Sequence, residues 1–170
     1  NRSFHDLSLF EVGPVFENAG DKVITHACCI RTGSIAGKNS HGESRQFDIF
    51  DMKADIATVL ESAGLDINKC QIKNNAPEYY HPTRSATLSL GKNILGYFGQ
   101  VHPSILKAFE INVDVMVFEL NISNLPYGKD KFGKKPNYIV SDYQKINRDY
   151  AFIVDKDQLV GEMLNLIRNA

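Results

Sequence analysis

Five histidines and a generous supply of carboxylates are the residue types here that could hold a metal or move a proton. His81 and His102 are the most suggestive, because each precedes a proline, in "YYHPTRSATLSLG" (79–91) and "GYFGQVHPSIL" (96–106). Folding could bring them near Asp48 and Asp51, which would suit a small metal-dependent hydrolase. Bound metals normally announce themselves by spacing, however, and no HxH, HxxxH or HExxH pattern occurs. The favoured reading gives His81 and His102 structural work, as side-chain hydrogen-bond partners at strand ends before Pro82 and Pro103. No metal ligand is assigned.

Nucleophiles fare no better. Ser85 and Ser104 follow the two His-Pro elements, but no Gly-x-Ser-x-Gly elbow is present. Cys28 and Cys29 show neither a helix start nor a neighbouring cation that would hold a thiolate, so both should stay protonated. Neither a Walker loop nor a dinucleotide fingerprint is found. No catalytic residue is assigned.

Two groups suit binding instead. Lys129, Lys131, Lys134 and Lys135, interleaved with Tyr127 and Phe132, could meet RNA phosphates and stack on a base. The same composition also describes a solvated linker. Arg84, where a strand begins, could grip a carboxylate or phosphate bidentately, or pair with a core carboxylate such as Glu11.

The elements that must position these residues alternate between strand and helix patterns. "LSLFEVGPVF" (7–16) is strand-like, with Gly13-Pro14 expected to bend or end its pairing. "DKVITHACCIRTG" (21–33) reads as its antiparallel partner across the turn "ENAG". A helix is expected over 51–63, capped by Asp51, with Met52, Ile56, Val59, Leu60 and Ala63 as its stripe and Gly64 as its stop. "KCQIKN" (69–74) is a short strand, and 85–90 with 93–102 form a hairpin around Gly91-Lys92. Pro103 opens a short helix with Ile105, Leu106 and Phe109 on its apolar face. "DVMVFELNI" (114–122) alternates cleanly, with Met116, Phe118, Leu120 and Ile122 on one side. After a Pro-, Gly- and Lys-rich stretch, 146–157 reads as a strand and 158–170 as a helix striped by Leu159, Met163, Leu166 and Ile167.

A net charge of −1 excludes a broad electrostatic footprint for nucleic acid. No apolar run approaches the roughly 20 residues that cross a bilayer, so no membrane partner is expected. Three cysteines, Cys28, Cys29 and Cys70, in apolar surroundings suggest reduced thiols and a cytoplasmic location. The chain opens on Asn and closes on "LIRNA" in a helical pattern, and it is expected to be a piece of a longer polypeptide.

Five segments in order, "LFEVGPVF" (9–16), "FDIFDMKADIATVL" (47–60), "HPTRSATLSLG" (81–91), "ILGYFGQVHP" (94–103) and "VFELNISNL" (117–125), resemble the beta subunit of bacterial phenylalanyl-tRNA synthetase. "SDYQKINRDYAFIVD" (141–155) resembles the start of that family's ferredoxin-fold anticodon-binding domain, although Lys145 stands where the family often has Pro. The resemblance implies an α+β fold, a mostly antiparallel sheet flanked by helices. It would comprise a class II synthetase-like core over 1–125, a linker over 126–140 and an incomplete ferredoxin-like domain over 141–170. In the family's catalytic alpha subunit, a Gly-Cys-Gly-Met-Val-His-Pro element occupies the place of "GYFGQVHP", and a glycine-rich strand with an ATP-contacting arginine follows. Here "DVMVFELNI" has neither Gly nor Arg. Class II enzymes also carry Arg two residues before a motif Glu, where this chain has Leu9 before Glu11.

The implied role is a catalytically silent core that pairs with the alpha subunit in a heterotetramer of two alpha and two beta chains. The full complex would use ATP and Mg, and tRNA would bind through the full-length protein. Arg148 joins the four lysines as a candidate RNA contact. The rival reading is a stand-alone regulatory module that reuses the same core.

Overall fold

The computed structural model describes residues 6–17, 22–36, 40, 44–126, 140, 142–144, 146–156 and 158–169. Contacts divide the chain into two units, 1–132 and 133–170. The first is an α+β unit built on one six-stranded, wholly antiparallel sheet. Its strands are β1 (Leu7–Glu17), β2 (Lys22–Thr32), β3 (Gln71–Lys73), β4 (Tyr80–Leu90), β5 (Asn93–Val101) and β6 (Val115–Asn121). They lie in the order β1-β2-β6-β5-β4-β3. Helix α1 (Ile49–Ser62) packs on one face, and the short α2 (Pro103–Ala108) follows β5. No helix among the described residues is long and apolar enough to cross a membrane.

Pairing between β1 and β2 does not break at Gly13-Pro14; it runs through Gly13↔His26 and Pro14↔Thr25. β1 is an edge strand, and a proline whose missing N–H would point outward removes no ladder bond. β4 also starts earlier than the 85–90 hairpin arm, at Tyr80, because a register irregularity between Tyr80 and Ser85 lets "HPTR" ride along the sheet.

Helix α1 begins two residues before the expected start, and its cap is Asp48, not Asp51. Asp48 Oδ1 accepts from the amides of Phe50 (2.8 Å) and Asp51 (3.2 Å), while Asp51 Oδ2 accepts from the Asp48 amide at 2.9 Å. This is a reciprocal capping box, and it leaves both carboxylates occupied by backbone. Met52, Ile56 and Leu60 point one way and are fully buried. They meet Ala86, Leu88, Leu95, Phe98, Met116, Phe118 and Leu120 from β4, β5 and β6. Each such side chain contributes about 1.5–3 kcal/mol on leaving water. Gly64, at φ +78, lets the chain leave the helix.

Phe109 departs from its expected place on the apolar face of α2. The helix ends at Ala108 and the ring is 73% exposed, so the buried Leu106 anchors it with the half-buried Ile105 beside it. In the second unit the helix α3 (Val160–Asn169) forms, but no strand is present among the described residues of 146–156. Strand formation needs a ladder partner for its backbone groups, and an amphipathic pattern cannot supply one. Ile146, Tyr150, Phe152 and Ile153 there are exposed. So are Leu159, Leu166 and Ile167, while Met163 alone of that stripe is half-buried.

Candidate functional site

The two glycines of "GYFGQVHP" have a steric explanation. A Cβ on Gly96 would stand 2.1 Å from the carbonyl oxygen of Glu119 on the neighbouring strand. One on Gly99, at φ +148, would stand 2.4 Å from the carbonyl oxygen of Arg84. Both glycines let backbones approach closely inside the sheet. The element then ends by capping α2: His102 Nδ1 accepts from the Ser104 amide at 3.2 Å and lies 2.7 Å from Ser104 Oγ. The segment is strand, bulge and cap.

Chemistry must therefore be sought on the sheet face opposite α1. Register places Glu11, Cys28, Glu119, Tyr97, Thr87 and Lys73 in one row that crosses all six strands. Side chains alternate along a strand, so this row points away from Phe118 and its neighbours in the core. Tyr79 leans over it and donates its hydroxyl to Glu119 Oε1 at 2.6 Å. Burial, with that hydrogen bond and the Glu119 charge behind it, pushes the Tyr79 phenol well above its ordinary 10.0. Cys28, flanked in register by Glu11 and Glu119, is pushed up by burial first and then by Glu119, Cys29 and Glu11. The neutral Tyr79 phenol over the row and the neutral Cys28 thiol within it thus sit beside carboxylates. The row's one cation, Lys73, is three strands from Glu119, about 14 Å away. The carboxylates at the centre of this row repel phosphate, and its thiol is held protonated.

The residues singled out from sequence scatter. Glu11 is exposed on β1, and no ion pair joins it to Arg84. Four strand spacings, about 19 Å, separate β1 from β4 in this order. Arg84 Nη1 donates instead to Gln100 Oε1 at 3.1 Å, and Gln100 Nε2 donates to Asp114 Oδ1 at 2.8 Å. The buried Gln100 relays the guanidinium to a carboxylate, a role with no local signature in sequence. His81 Nδ1 accepts from the Thr83 amide at 3.2 Å, and Ser85 Oγ donates to the His81 carbonyl at 2.6 Å. Asp48 and Asp51 hold the start of α1, and Asp51 also takes both terminal nitrogens of Arg45 at 2.7 Å. Among the described residues no group of three His, Cys, Asp or Glu is placed to hold a metal.

Cys29 does have a cation beside it, contrary to the sequence reading. Burial first, then the Asp55 charge, push the Cys29 thiol above its usual value, and the neighbouring Arg31 only partly opposes them. Lys129, Lys131, Lys134 and Lys135 lie outside the described residues, and Arg148 is exposed. Tyr79 and Gln100 were not reachable from spacing. Glu119 does carry a local signal, as the one charged residue of β6.

A family model described as "Phenylalanyl tRNA synthetase beta chain CLM domain" matches residues 1–122. A protein called phenylalanine–tRNA ligase beta subunit from Rickettsia bellii is 53% identical over 169 residues, covering 99% of this chain and 19% of the relative. That of Rickettsia felis is 50% identical over 170 residues, covering 99% and 21%. That of Bartonella quintana is 40% identical over 163 residues, covering 92% and 20%. The chain thus spans about a fifth of the length of the curated relatives it matches. With a domain match across most of its length and about half its residues shared with the two Rickettsia relatives, the chain belongs to the phenylalanyl-tRNA synthetase beta-chain family.

Proposed function

We propose that the chain is a non-catalytic core of the beta subunit of phenylalanine–tRNA ligase. It has a class II synthetase-like fold over 1–125 and begins a ferredoxin-like anticodon-binding domain after a linker. Its partner is the alpha subunit, in a cytoplasmic heterotetramer of two alpha and two beta chains. That complex joins phenylalanine to its tRNA with ATP and Mg. RNA contacts on this stretch fall to Lys129, Lys131, Lys134, Lys135 and Arg148.

The observation that supports catalytic silence most directly is the row Glu11–Cys28–Glu119. Nucleotide activation requires positive charge aimed at the transferring phosphate. The described residues do not fit ATP: on this face Leu9 shares a side with Glu11, and the central carboxylate of Glu119 is bonded to a phenol. Activation chemistry therefore falls to the alpha subunit, and this chain contributes scaffold.

The test is phenylalanine-dependent ATP–pyrophosphate exchange with the tagged, full-length protein and with this chain alone. A large complex containing a second polypeptide and showing exchange is expected, with no exchange from the chain. Exchange by the isolated chain would overturn silence. A lone small protein without exchange would replace the ligase reading with a freestanding regulator.

A further inference from the structure

α1 covers only part of the sheet. It contacts β5 and β6, and beside it the same sheet face stays open along β1 and β2. A groove of about 660 Å³ lies there. Phe10, Val12, Cys29 and Phe118 of the sheet form its floor, and Val59 and Ser62 of α1 form its wall. Phe10 is 81% exposed and Val12 58%. Farther along β1 on the same side, Phe16 is 66% exposed.

We propose that this groove is the seat of an amphipathic helix supplied by another part of the same beta-subunit polypeptide, outside residues 1–170. The proposal rests on the beta-subunit reading. Three features select that occupant. Two strands at about 4.8 Å spacing present a strip close to 10 Å wide, one helix diameter. The wall offered by α1 is short-chained, with Thr58, Val59, Ser62 and Ala63, which allows a second helix to approach at normal packing distance. Curated relatives are about five times as long as this chain, so family members carry ample further polypeptide to supply it. At one end the Arg31–Asp55 pair, at 2.7 Å, already joins β2 to α1 and leaves no free charge in the groove. The occupant is accordingly apolar on its docking side.

Adjacent cysteines provide the readout: both border the groove, but strand alternation turns the Cys29 side chain toward it, with Phe10 and Phe118, and the Cys28 side chain toward Glu11 and Glu119 on the opposite sheet surface. Alkylation by iodoacetamide, mapped by fragment-ion mass spectrometry, is measured on the chain, on the full-length beta subunit alone, and on the subunit with alpha. In the full-length subunit alone, the Cys29-to-Cys28 rate ratio should fall at least about tenfold relative to the chain. An unchanged ratio overturns the proposal. So does protection that appears only when alpha is added, or that in the chain depends on its own concentration, since either assigns another occupant.

Phe10→Asp gives a second arm. It should leave the chain's melting temperature nearly unchanged, and in the full-length subunit it should restore Cys29 labelling. Retained protection in that variant overturns the proposal as well. Pyrophosphate exchange on the alpha–beta complex, run in parallel, reports the ligase reading separately. A complex without exchange would sink that reading while the cysteine ratio still judged the groove.

Discussion

The sheet has two halves with the same kind of residue and opposite fates. On β4, β5 and β6, Leu88, Phe98, Phe118 and Leu120 are buried under α1. On β1 the equally apolar Phe10, Val12 and Phe16 lie on the same side of the same sheet and remain mostly exposed. Apolar alternation determines which face a residue takes, but burial depends on what is laid over that face. A helix of 14 residues covers about two strands' width and no more.

The sharpest way to break this contrast is a pair of substitutions. Leu120→Ala should cost about 3–5 kcal/mol, through lost transfer energy and a cavity. Phe10→Ala in the chain alone should fall within about 0.5 kcal/mol. Equal costs in urea unfolding would show that β1 is covered after all.

Next come the close backbone approaches within the buried half. Gly96→Ala should cost about 3 kcal/mol, because the new methyl meets the Glu119 carbonyl and the strands must part. Gly13→Ala on the exposed half meets nothing nearer than 3.9 Å and should be close to neutral. Similar melting temperatures for the two variants would contradict the register between β5 and β6.

Asp48→Ala should cost about 1 kcal/mol by removing the cap of α1. The loss should appear as faster amide exchange at Phe50 and Asp51, whose N–H groups it accepts. Unchanged exchange there would return the cap to Asp51.

The smallest effect is electrostatic. The Arg45 hydrogen bonds first, then the Asp48 amide, hold Asp51 below its ordinary 3.8, against some opposition from burial. A depressed folded-state pKa stabilises the fold above about pH 3.8 and loses that contribution as pH falls through the lower folded value. Arg45→Met should therefore lower stability slightly at pH 7 and so flatten the acid limb below pH 3.8, both effects shrinking together in high salt. An unchanged limb would mean the pair contributes nothing measurable.

Much of the local architecture was legible. The stripe of Met52, Ile56 and Leu60, the turn at Gly91 and the alternation of "VMVFELN" each depend on neighbours within a few positions, and all three stand as read. Choosing Asp51 over Asp48 as cap failed because both are equally good cap residues, and only the helix's first bonds distinguish them. The strand expected over 146–157 is absent among its described residues, 146–156, for a different reason: an apolar pattern cannot form a ladder without a partner. Arg84 was given Glu11 as one possible partner. Strand order separates them, and Gln100, unremarkable in sequence, takes the contact.

The sequence by itself determined which side of each strand is apolar, where the main helix lies, and which family the segments resemble, because these rest on period, local sterics and ordered motifs. Tertiary structure alone decided that β2 lies against β6, which sets Cys28 beside Glu119, and that Tyr79 reaches across 40 residues to the same carboxylate. It also decided which apolar strands stay open. Those outcomes depend on long-range register and on the reach of one helix, and neither is written in any local pattern.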